Sequence, residues 1–169
     1  MKKSYLFILI GLILIFIYLG IGIIDLGNHV IGYGFIYLGV YQLNKARHHE
    51  SLTLAQSLTL GLLLFEIFQV GILRVIGQQA IVAFLIVLLI LAVKSLVFFL
   101  IIKSEGDATE SLTVQTYQQT DLLLSLGLIV LYIVSCFIPS LSMLFGLIDF
   151  LLFAFLIYTF YQIRAMYRS

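Results

Sequence analysis

Charge is scarce in this chain. Of 169 residues only nine are Lys or Arg and eight are Asp or Glu, and the formal net charge is +1. A nucleic-acid surface requires a basic stripe or patch, and so sparse and balanced a scatter excludes one. Cysteine is scarcer still. Cys136 stands alone, which rules out a disulfide within this sequence and any C-x-x-C redox or zinc pair. Paired carboxylates at helical spacing, a G-x-S-x-G elbow and a phosphate-binding glycine loop are missing too. His48-His49-Glu50 does not have the H-E-x-x-H spacing of a metal site, and adjacent side chains on a helix or strand point apart, so it reads as a solvated loop. Cys136 and His29 both fall near one predicted membrane face, where a nucleophile and its base are geometrically conceivable. However, Cys136 sits among Val134, Ser135 and Phe137 with no neighbouring cation, and a thiol there stays protonated and inert. The expectation is a protein that is not an enzyme, with no metal and no cofactor.

Apolar residues, by contrast, fill the chain. They make up 63% of it, with a mean hydropathy of +1.19, and they run in stretches of spanning length separated by short polar breaks. Helices apolar on every side need lipid around them. The expected fold is all-α: a single domain over 1–169, a polytopic transmembrane bundle with six spans near 5–24, 27–43, 57–76, 79–102, 121–138 and 143–161. The start, Met1-Lys2-Lys3, resembles the charged end of a signal peptide. The apolar run behind it is about 20 residues without an A-x-A cleavage site, and it reads as a retained first span. The second span is the ambiguous one. Val30–Leu43 makes roughly 21 Å of helix, short for a crossing and suited also to a re-entrant segment.

Charge separates these options. If Val30–Leu43 crosses, both termini share one side with loops 44–56 and 103–120. That side then carries Lys2, Lys3, Lys45, Arg47, Lys103, Arg164 and Arg168, seven of the nine cations. If it does not cross, the cations divide between the sides. The positive-inside tendency therefore favours six crossings with both termini cytoplasmic, in the cell membrane. Tyr5, Tyr41, Tyr117, Tyr161 and Tyr167 fall near the same boundary, as an interfacial aromatic belt would. The inner loop Lys103–Thr120 is the one acidic stretch, and Asp107-Ala-Thr-Glu110 inside it reads as the start of the fifth helix. Phe16-Ile-Tyr-Leu-Gly20 recurs as Phe35-Ile-Tyr-Leu-Gly39, which so biased a composition favours as chance over a true internal duplication.

Charges inside spans are the best functional lead, because each costs several kcal/mol unless paired or wetted. Glu66 lies mid-way along the third span and Lys94 in the fourth, at matching depth from one end and about 9 Å apart in depth from the other. An ion pair, independent placement and a proton or substrate site are all compatible with that. A second polar group gathers near the outer face: Asp25, His29, Arg74, Gln78, Gln79 and Asp149. It reads either as a wetted rim, with Arg74 and Asp149 close enough to pair if their helices meet, or as a mouth leading to Glu66. Gly20, Gly27 and Gly34 recur every seven residues, as do Gly32 and Gly39. Small residues on one face let helices approach closely, so these five are candidates for tight packing of the first two helices. Gly27-Asn28-His29 also has the composition of an unwound segment that would offer backbone groups to a solute or ion.

Asp25-Leu-Gly-Asn-His-Val-Ile-Gly32-Tyr33, followed by Ile36-Tyr-Leu-Gly39 and Leu43, resembles a pattern in small multi-pass membrane proteins of low-GC Gram-positive bacteria. There a D-x-x-P-D-F-I-G-Y segment follows the first helix and leads into a short, glycine-containing second one. The likeness covers about 20 residues and implies topology without an activity. This chain departs from it at Asn28, where proline is usual, and at His29, where a second acid is usual. In length and helix number the chain also resembles the vitamin-binding subunits of energy-coupling-factor transporters, though their A-x-x-x-A coupling segment is absent from the first helix.

Three function classes follow. One is a non-catalytic membrane subunit or structural protein, working through contacts with lipid, with a membrane protein partner or with a second copy of itself. Another is a small-solute or ion transporter component with a polar site around Glu66. The third is a membrane enzyme.

Overall fold

The computed structural model describes residues 1–21, 27–76 and 80–167. They form six α-helices and, among the described residues, no strand. In chain order these are α1 (Lys2–Ile21), α2 (Gly27–Arg47), α3 (Glu50–Ile76), α4 (Ala80–Thr109), α5 (Leu112–Phe137) and α6 (Ser142–Met166), with a 3₁₀ turn at Pro139–Leu141 before the last. Glu50–Phe68, Ile81–Thr109, Leu112–Phe137 and Ser142–Met166 are long and apolar enough to cross a membrane. Their outer faces carry large apolar side chains in the open, among them Phe68, Leu89, Leu123, Phe137 and Met143. Lipid is the solvent that such faces require.

Local chemistry sets the helix ends. Between α2 and α3 the backbone turns at His48 with φ +48°, and between α4 and α5 at Glu110 with φ +49°. Ile138 is driven out of helical geometry (φ −127°, ψ 88°) by the proline that follows it, which ends α5. Lys45 and Arg47 occupy the last turn of α2, where cations complement the helix dipole. Gly27–Arg47 is one unbroken helix of 21 residues, about 31 Å long, as the six-helix reading expected. One expectation is corrected here. Asp107-Ala-Thr-Glu110 does not begin the fifth helix: α4 runs on through Thr109, and α5 starts after an extended Ser111.

Each helix packs against its sequence neighbours, and α6 packs back onto α1, so the six close into a ring. The closest approach is between α1 and α2. A Cβ on Gly11 would lie 2.5 Å from the Gly32 carbonyl oxygen, and one on Gly39 would lie 2.7 Å from the Ser4 oxygen. Neither position can hold a side chain without parting the helices. The face of α2 that turns inward carries Tyr33, Ile36, Val40 and Leu43, all buried, and ends in Arg47. An equivalent stripe on α4 runs Lys94, Phe98, Ile101 and Glu105, at intervals of four, three and four. That spacing keeps one face of a helix toward the axis of the bundle. Both stripes are apolar in the middle and polar at each end.

Candidate functional site

The lower ends of the two stripes meet at Glu105, which is 0% exposed. Arg47 from α2 donates to it twice, Nη1 to Oε2 at 2.6 Å and Nη2 to Oε1 at 3.4 Å. The Tyr5 hydroxyl from α1 donates to Oε2, and the Tyr167 hydroxyl, just past α6, donates to Oε1. Tyr5 and Tyr167 stack with ring centroids 5.8 Å apart, and the Arg47 guanidinium lies 5.8 Å from the Tyr167 ring centroid. Four helices thus close on one carboxylate, and the first and last of them end side by side. Burial works against the charge of Arg47, but its bonds to Glu105 more than offset this and raise its pKa above the ordinary value. Burial and then the bond to Glu105 push the Tyr167 hydroxyl up to about 12. An Arg–carboxylate fork is a strong and geometrically specific contact, and its role here is to fasten one end of the bundle. Sequence reasoning missed it. Glu105 reads as part of an acidic loop, and Tyr5 and Tyr167 as lipid-facing belt residues. Tyr41 and Tyr161 do lie exposed, whereas Tyr5 is fully buried.

The upper ends of the stripes hold most of the candidate polar residues. Glu66 on α3 is 4% exposed, and its Oε1 lies 3.4 Å from His29 Nδ1 on α2. One turn along α2, Tyr33 presents its ring to Lys94, whose Nζ lies 5.8 Å from the ring centroid. His29 and Tyr33 meet edge to face at 6.5 Å. Lys94 and Asp149 line one small cavity between α4, α5 and α6, together with Ser95, Asp121 and Ser125. Its volume is about 20 Å³, room for about one water molecule. Asp121 and Ser125, one helical turn apart on α5, are 1% and 4% exposed. Neither the two carboxylate oxygens of Asp121 nor Ser125 Oγ has a hydrogen-bond partner among the described residues.

Glu66 and Lys94 therefore share an interior without forming an ion pair. Among the described residues the contacts within 4.0 Å between basic and acidic side chains include the Arg47–Glu105 ion pair, His29–Glu66 and an exposed His49–Asp107 contact at 3.7 Å, and none joins Lys94 to Glu66. The reason is geometric. Lys94 points at Tyr33 and the α6 side, while His29 occupies the near oxygen of Glu66. Asp25, Gln78 and Gln79 lie outside the described residues. Arg74 falls within α3, but its side chain is outside what is described, as are the surroundings of Gly20 and Gly27. Gly32 and Gly39 sit on the α1–α2 seam beside Gly11, which the heptad spacing did not single out. Gly34 lies off that seam, with nothing within 4 Å of where a Cβ would be. Cys136 is exposed on α5, and among the described residues no three His, Cys, Asp or Glu side chains gather as metal ligands would.

No protein-family profile matches this chain, and no curated protein or solved structure matches it.

Proposed function

We propose that the protein is a multi-pass component of the cell membrane that carries a small ion or solute through the polar interior around Lys94, without catalysing a reaction. One observation carries this reading. Inside a ring of apolar helices Lys94 and Asp149 line one small cavity, and Tyr33, against which Lys94 lies, meets His29, which in turn contacts Glu66. Ionisable groups at such depth are costly, and a bundle needing only to hold its shape has no use for them. Both termini belong on the cytoplasmic side in this reading. Tyr5, Arg47, Glu105 and Tyr167 define one end of the bundle, and Lys2, Lys3, Lys45, Lys103 and Arg164 belong to the same ends of their helices.

A second reading is a non-catalytic subunit that binds a membrane protein partner or a second copy. It is supported by Gly34, Gly61, Gly127 and Gly146, where a Cβ would meet open space and another helix would find room. Proteoliposomes separate the two. With a pH or cation gradient across the membrane, the carrier reading expects ion flux in the wild type that is lost in Lys94→Met and Glu66→Gln, with both variants still monodisperse. Flux indistinguishable from empty liposomes, or unchanged in both variants, overturns it. A stoichiometric partner recovered by mild-detergent purification would then support the subunit reading.

A further inference from the structure

We propose that Asp121 and Ser125 form a proton-binding site, the position at which a single small cation enters and leaves the bundle interior. The inference rests on the carrier reading for its purpose, but on its own geometry for its existence. Asp121 is 1% exposed, and among the described residues both of its oxygens lack a donor and no Lys or Arg lies within ion-pair distance of it. An ionised carboxylate so placed is expensive, and in the absence of a cation or donors it is the neutral carboxyl that the surroundings tolerate. Ser125 Oγ, unpartnered on the same face, supplies an acceptor one turn away.

The cavity they share with Lys94 and Asp149 is the inner side of the site, and its one-water volume suits a proton relay rather than a hydrated metal ion or an organic solute. On its other side the same pair, with Ser95, borders a groove of about 230 Å³ between α4 and α5, walled by Leu96, Phe99, Leu122 and Ile129. Asp121 therefore stands between the small inner cavity that Lys94 and Asp149 also line and an apolar lateral groove. The charged groups facing it across the cavity are Lys94 on α4 and Asp149 on α6. Glu105, further along α4, is engaged by Arg47, and Arg164 on α6 borders a different groove. When the proton leaves, the carboxyl O–H breaks and a water molecule accepts the proton, and the carboxylate left behind draws the Lys94 ammonium toward α5.

A hydrophobic carbodiimide tests this directly, because among carboxyl groups it favours one that is protonated and reachable from lipid. Purified protein in mild detergent is treated with dicyclohexylcarbodiimide, and the adduct is located by peptide mass mapping. The expected result is one N-acylurea, on Asp121, whose rate of formation falls about tenfold per pH unit once the group titrates. It disappears in Asp121→Asn and persists in Asp149→Asn and Glu66→Gln. An adduct mapped elsewhere, or none on folded wild type, overturns the site, and mapping the wild type needs no variant to fold. Protection by Na⁺ at fixed pH overturns the proton assignment in favour of a metal ion. An Asp121 adduct in a protein that moves no ions keeps the site and discards the carrier reading. Ion flux with no adduct does the reverse.

Discussion

Replacing Glu105 by glutamine tests whether the carboxylate holds the ends of the bundle together. The substitution keeps the shape of the side chain and removes its charge. Arg47, whose side chain is 14% exposed, is left with a half-buried guanidinium facing an amide. Removing one partner of a buried ion pair costs about 3–5 kcal/mol. The remaining access of Arg47 to solvent lets it swing outward, which places the expected loss near the lower bound, about 3 kcal/mol. For a domain of this length that corresponds to a fall of roughly 6–12 °C in Tm, measured by scanning fluorescence or by heating and size exclusion in mild detergent. Arg47→Met should cost a similar amount, and the double variant clearly less than the sum, since each change alone strands the other partner. A Glu105→Gln protein melting within about 2 °C of wild type, or strictly additive costs, would refute the fastening role.

Alkaline pH probes the same cluster from another side. The Tyr167 hydroxyl is raised above its ordinary value, so the stability it contributes is complete below about pH 10 and is lost as pH climbs toward about 12. Tyr167→Phe should start lower in Tm and decline less across that window, and a parallel decline in both proteins would count against the assignment. On the α1–α2 seam, Gly32→Ala should lower Tm, because its Cβ would meet Ile15 Cγ1 at 2.6 Å and the Gly11 oxygen at 2.9 Å. Gly34→Ala, in open space on the same helix, should be neutral or raise stability by up to about 1 kcal/mol. Equal effects at the two positions would mean that the seam is not where these contacts put it.

The helices were legible because hydrophobic length carries most of the information in such a chain. Six apolar stretches gave six helices, four of them long and apolar enough to cross a membrane. Partners were harder to read. Lys94 and Glu66 match in depth, but depth says nothing of rotation about the helix axis, and rotation decides that His29 meets Glu66 and Tyr33 meets Lys94. Glu105 was hidden by its neighbours, since Lys103-Ser-Glu-Gly-Asp has the composition of a loop. A usable signal was present in the interval pattern: continuing the Lys94–Phe98–Ile101 face by one step lands on Glu105 and not on Lys103 or Asp107. Asp121 was passed over because it stands at the first position of an apolar run, where an acid normally faces headgroups. Ser125 one turn later was the hint that it faces inward. The glycine seam divided for a related reason, as sevenfold spacing in α2 marks several faces and only contact with α1 selects Gly32 and Gly39.

The Glu105 cluster also imposes an order on biosynthesis. Its members leave the ribosome as Tyr5, Arg47, Glu105 and Tyr167, so the carboxylate is inserted before its last donor exists. Until α6 has been threaded into the membrane, Glu105 can be served by Arg47 and Tyr5 alone, and the ring stays open between α6 and α1. Tyr167 is thus the donor that completes the cluster. A chain that ended before Tyr167 would leave Glu105 Oε1 with only the longer of the two Arg47 bonds.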